Sequence, residues 1–106
     1  MLVAEQVALE VVVEVKPLLE RIRRQDRSLF DQARRAGSSI VLNIAEAQGS
    51  SAGNARSRYY TASGSARELS AALRVAVAWG YVTRVAASRV EAKFDRVRRL
   101  LWGLQR

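Results

Sequence analysis

The chain has 106 residues, with 18 Lys or Arg against 10 Asp or Glu, a net charge of +8, and neither His nor Cys. A chain of this length forms one domain with a modest core, and 49% hydrophobic residues exclude a disordered polymer. Without Cys there is no disulfide or thiolate chemistry, and without His the commonest general base and zinc ligand are missing.

The first predicted helix runs from about Leu2 to Arg24. Val7, Val11, Val15, Leu18 and Ile22 recur at steps of three or four, which is a helical stripe. The run Val11-Val12-Val13 alone would suit a strand, but the segment length and the Glu5, Glu10 and Glu14 spacing favour helix. Pro17 predicts a kink or a break just before it. Those glutamates and Lys16 interrupt the most apolar stretch, Leu2 to Leu19, so no membrane span is expected. It also lacks a basic leader and a small-residue cleavage site, so the expected location is the cytoplasm.

The second helix is predicted from Asp26 or Ser28, both plausible caps, to Ala47. Its seam is Leu29, Ala33, Ala36, Ile40, Ile44 and Ala47, and Gly37 on the neighbouring face would admit a close backbone. Residues 48–53 carry two Gly and two Ser and read as a flexible loop, with Asn54 as the next cap. The third helix, from Asn54 or Ala55 to Trp79, has the seam Ala62, Ala66, Leu69, Leu73 and Ala76. Gly64 between Ser63 and Ser65 predicts a tight helix crossing, and Gly80 a C-terminal stop. The fourth helix starts after Thr83 and carries Val90, Phe94, Val97, Leu101 and Leu104. Four helices with short links give an all-α, antiparallel, up-down-up-down four-helix bundle as the expected fold.

The stretch Gln32-Ala33-Arg34-Arg35-Ala36-Gly37-Ser38-Ser39-Ile40-Val41-Leu42-Asn43-Ile44-Ala45-Glu46-Ala47 resembles the Q-x-R-R-A-x-x-S-I-x-x-N-I-A-E-G pattern of a bacterial four-helix bundle family. The founding members of that family are encoded in intervening sequences of 23S rRNA genes. Ala62-Ser63-Gly64-Ser65-Ala66-Arg67-Glu68-Leu69 resembles its A-x-G-S-x-x-E-L block, and Gly80-Tyr81-Val82 its closing turn. Ala47 stands where the family usually has Gly, so the second helix is expected to run slightly further. The resemblance implies a ring-shaped homopentamer. It also implies a relation to the accessory variability determinant of diversity-generating retroelements, a basic bundle that binds nucleic acid and a reverse transcriptase.

Sixteen of the 18 basic residues are Arg, the side chain preferred for planar contact with phosphate or carboxylate. Arg23, Arg24, Arg27, Arg34 and Arg35 form the densest basic stretch, with Arg96, Arg98 and Arg99 second. They are the candidate nucleic-acid contacts; the alternative is a solvated helix surface paired to residues such as Asp31. Asn43, Glu46 and Glu68 are read as a polar network between the second and third helices, with Arg35 or Arg67 as partners of the carboxylates. Metal binding or acid–base work by the two glutamates is the rival reading. Ser63 and Ser65 have no activating base nearby and are read as packing residues. Tyr59, Tyr60, Trp79, Tyr81 and Trp102 are read as core or interface side chains, with base stacking as the alternative. The resulting expectation is a non-enzymatic, cofactor-free homo-oligomer that binds RNA or DNA. A scaffold docking a protein such as a reverse transcriptase is the alternative.

Overall fold

The computed structural model describes residues 1–106. The elements are α1 (Val3–Gln25), α2 (Arg27–Gln48), α3 (Ala52–Trp79) and α4 (Arg84–Gln105). Packing contacts run α1–α2, α2–α3, α3–α4 and α4–α1, closing a four-cornered bundle in which α2–α3 is the most extensive pair. The molecule measures 42 × 23 × 19 Å, one helix length by two helix diameters.

The apolar stripes meet along the axis. Every predicted seam residue of α1, α2 and α3 is buried, and so are Val90, Phe94, Val97 and Leu101 of α4. Leu104 is the correction: it is 37% exposed, and the inward position of the last turn falls to Gln105, four residues after Leu101, whose amide donates to the Ser63 hydroxyl at 2.9 Å. The β-branched run does not divert α1 from helix, since Val11 and Val15 reach the core at helical spacing. Nor does Pro17 break it. Pro17 lies on the solvent side, where water serves the Val13 carbonyl that proline cannot.

Helix ends follow local chemistry. Asp26 accepts from the Leu29 N–H at 3.0 Å, and Thr83 from the Ala86 N–H at 3.1 Å. Gly80 takes the left-handed conformation, φ 81°. Its N–H reaches the Val77 carbonyl and that of Tyr81 the Ala76 carbonyl, which stops α3. The expected 48–53 loop shrinks to residues 49–51: α2 extends through Gln48, as the Ala47 departure implied, and α3 begins at Ala52. Asn54 is therefore inside α3, and Ser51 occupies the cap position without a side-chain bond.

The predicted tight crossing at Gly64 is absent. A Cβ there would meet nothing closer than an Arg67 nitrogen at 3.9 Å, and at Gly37 only side-chain atoms at 3.7 and 3.9 Å. The close α2–α3 packing comes instead from buried Ala33, Ala36, Ala62 and Ala66. No helix is long and apolar enough to cross a membrane.

Candidate nucleic-acid interface

Five of the 18 basic side chains pair with a carboxylate: Arg23, Arg27, Arg58, Lys93 and Arg98. The other thirteen have no carboxylate within 4 Å, so most of the positive charge is uncompensated at the surface. Charges within α1 cancel, whereas α3 carries +3 and α4 carries +4.

The predicted arginines do not form one patch. Arg23, Arg24 and Arg27 flank the α1–α2 turn at one end of the bundle. Arg23 bonds Glu20 at 3.1 Å and Arg27 bonds Asp31 at 3.4 Å; Arg24 has no carboxylate partner. Arg96, Arg98 and Arg99 lie on α4, which makes no extensive contact with α2. Arg98 is held between Asp95 and Glu91, leaving Arg96 and Arg99 free.

Arg34 and Arg35 enter a distinct setting. A groove of about 430 Å³ between α2 and α3 is lined by Arg34, Arg35, Ser38, Ser39, Leu42, Asn43, Glu46 and Arg58. The helical period places Arg35, Leu42 and Glu46 along the α3-facing edge of α2. Arg34 lies over the Phe30 ring at 5.9 Å, and Arg27 approaches the same ring at 5.5 Å, a cation–π arrangement that orients both guanidinium groups. Arg58 shares a second, wholly polar cavity of about 290 Å³ with Ser50, Asn54, Ser57 and Thr61.

The predicted polar network exists with different partners. The Asn43 amide donates to the Ser39 carbonyl at 2.9 Å and to the Ser39 hydroxyl at 3.0 Å. Ser65 donates to the same hydroxyl at 2.7 Å, which ties α3 to α2. Glu46 pairs with Arg58 at 2.7 Å rather than with Arg35 or Arg67. Glu68 is exposed with no ion-pair partner and takes no part. No three His, Cys, Asp or Glu side chains gather into a group with metal-ligand geometry.

Arg58, Ser38 and Ser39 were missed as site residues because they stand outside the dense basic run. Their one signal was position: Ser39 and Asn43 share a helix edge at a four-residue step.

The opposite face differs. Lys93 bridges Glu10 and, at 3.5 Å, Glu14, joining α4 to α1. The Lys93 hydrogen bond holds the Glu10 carboxyl below the usual carboxylate range, and the Glu10 bond raises Lys93. On the same face Arg21 and Arg89, neither within 4 Å of a carboxylate, line a groove beside Glu14.

The aromatics divide. Tyr59 is buried. Tyr81 is half-buried, with its hydroxyl donating to Asp26 at 3.1 Å. Burial and the neighbouring Asp26 carboxylate push the Tyr81 phenol up. Tyr60, Trp79 and Trp102 are no part of the core, at 64, 70 and 62% exposure. Trp79 and exposed Val85 flank the α3–α4 turn. Beside it an apolar groove of about 320 Å³ includes Leu73, Val77, Ala78 and Ala87.

Comparison with known proteins places this geometry. A crystal structure of a protein of unknown function from the S23 ribosomal protein family of Bacteroides thetaiotaomicron superposes with a TM-score of 0.89. It is 22% identical and the match covers 98% of this chain and 99% of that one, which shows a shared fold. No curated protein matches the chain. The model of the 23S rRNA-intervening sequence protein family matches residues 1–103, a span that includes α1 to α3, all but the last two residues of α4, and the whole α2–α3 groove. The chain therefore belongs to the 23S rRNA-intervening sequence protein family.

Proposed function

We propose that the protein is a non-enzymatic, homo-oligomeric binder of RNA or DNA that contacts phosphates through exposed arginines. The observation that carries this reading is the thirteen basic side chains without a carboxylate partner. A surface shaped only for solubility intersperses both signs. Uncompensated guanidinium groups suit backbone phosphates, whose contacts are strong, sequence-independent and screened by salt. The pentameric state comes from the family resemblance and is supported by exposed Tyr60, Trp79 and Trp102, side chains enriched at protein interfaces. Repetition of each Arg cluster around a ring would strengthen weak individual contacts through multivalency. The test is binding to mixed single- and double-stranded nucleic acids. Binding at low salt that Arg34→Gln/Arg35→Gln weakens is expected, and no binding at low salt removes the reading.

The α3–α4 groove favours a second reading, a scaffold that docks a protein such as a reverse transcriptase. Its lining joins Leu73, Val77, Ala78 and Ala87 to Arg74, Arg84, Ser88 and Glu91, with exposed Trp79 and Val85 beside it, the combination of apolar centre and charged rim that protein interfaces carry. A purified reverse transcriptase that binds after nuclease treatment, and is lost on Trp79→Ala, would support this reading over the first.

A further inference from the structure

We propose that the α2–α3 groove is a binding site for linear phosphate oxyanions, and that Glu46 is its built-in competitor. This rests on the nucleic-acid reading only for the source of the phosphate; the site itself is argued from its own chemistry.

The groove presents three guanidinium groups, Arg34, Arg35 and Arg58, with one carboxylate, Glu46, among its lining residues. That carboxylate bonds Arg58 at 2.7 Å. Glu46 thus occupies, in the free protein, the position a ligand oxyanion would take. Both partners of the pair are about half exposed, so the pair is weak and exchangeable. A phosphate offers Arg58 charged oxygen acceptors like those of the carboxylate, and a chain of phosphates extends along the groove toward Arg35, which Glu46 does not.

Two further features fit a linear ligand. The Ser39 hydroxyl accepts from both Asn43 and Ser65, so its position is fixed and its own hydrogen remains to donate. Arg58 stands between the groove and the all-polar cavity at Ser50, Asn54 and Thr61, making a continuous polar track across it. Eleven residues of α2 separate Arg35 from Glu46, about 16 Å of helix, long enough for more than one phosphate. Neither cavity has an aromatic lining residue, so bases would find no stacking platform there. Recognition would rest on the phosphates, indifferent to base identity.

The test is titration of the full chain with inorganic tripolyphosphate and, separately, with a mixed-sequence single-stranded oligonucleotide. Glu46→Gln, Glu68→Gln, Arg58→Gln and Lys93→Gln are compared with the parent. Glu46→Gln and Glu68→Gln change the net charge equally, but only the first frees Arg58. Tripolyphosphate binding should tighten about two- to fivefold in Glu46→Gln, the size of an exposed ion pair, and not in Glu68→Gln. It should weaken in Arg58→Gln and hold in Lys93→Gln, which removes the same charge on the opposite face. Equal effects of the two glutamate variants, or no tripolyphosphate binding by any variant, would overturn the proposal. Oligonucleotide binding that ignores the groove variants would overturn it too, while leaving the nucleic-acid reading standing. Tripolyphosphate binding with the expected variant pattern, but without oligonucleotide binding, would support the groove and remove nucleic acid as its ligand.

Discussion

Tyr81 illustrates how single side chains hold the ends of this bundle. It follows the glycine that stops α3, and its hydroxyl reaches Asp26, the residue that caps α2. The Gln25 amide adds a 3.4 Å bond to the Tyr81 carbonyl, so the two turns at this end are tied together. A phenol whose pKa is raised on folding contributes stability that is complete below its unfolded value and lost as pH rises through its folded value. Glu10 has the opposite sign: its depressed pKa contributes above the unfolded value and is lost as pH falls through the folded one. Denaturant melts across pH should therefore show Tyr81→Phe with a shallower alkaline loss and Glu10→Gln with a shallower acid loss. Parent-like slopes in both variants would refute these assignments. The glycines give a further residue-scale prediction. Gly37→Ala and Gly64→Ala each place a methyl group at ordinary contact distance in a helix interior, and should stabilise by about 0.5–1 kcal/mol. Gly80→Ala forces a side chain into φ 81° and should destabilise by about 1 kcal/mol or more.

At the scale of helices, the seams were legible because each is fixed by its own three-to-four spacing and needs no knowledge of its neighbours. The caps at Asp26 and Thr83 and the stop at Gly80 were legible for the same local reason. The misreadings depended on tertiary surroundings. Pro17 could be judged harmless only once its side of α1 faced solvent, and Gly64 unconstrained only once no backbone passed it. Residues 52–54 carry loop-like composition yet form the exposed first turn of α3, ahead of its first buried residue, Tyr59. The same locality limits the site. The Arg34-Arg35 pair was visible in the chain, but its grouping with Arg58, and the pairing of Glu46 across to α3, required α2 and α3 to lie side by side. Core position should dominate stability. Phe94→Ala, at a fully buried site, should cost about 3–5 kcal/mol in a denaturant melt, whereas Leu104→Ala, at an exposed position, should cost under about 1 kcal/mol.

Across the whole molecule, the charge is arranged as well as large. Neutral α1 is joined to α4 by the Lys93 ion pairs, while arginines without a carboxylate partner occur on every helix: Arg24 at the α1–α2 turn, Arg34 and Arg35 in the α2–α3 groove, Arg96 and Arg99 on α4, and Arg21 and Arg89 between α1 and α4. Such a monomer presents basic surface in several directions, which suits a ligand long enough to touch more than one of them, or an assembly that aligns them. Light scattering should give five times the 11.8 kDa chain mass if the assembly is the pentamer that family resemblance implies. A monomer at micromolar concentration would remove that part of the proposal. The most direct measurement is the affinity for a mixed-sequence oligonucleotide as a function of salt. The expected result is a linear fall of log affinity with log salt, at a slope reduced by about one for each phosphate-contacting arginine replaced, Arg35 and Arg58 among them. An affinity indifferent to salt, or a slope unchanged when those arginines are removed, would contradict phosphate recognition by this surface.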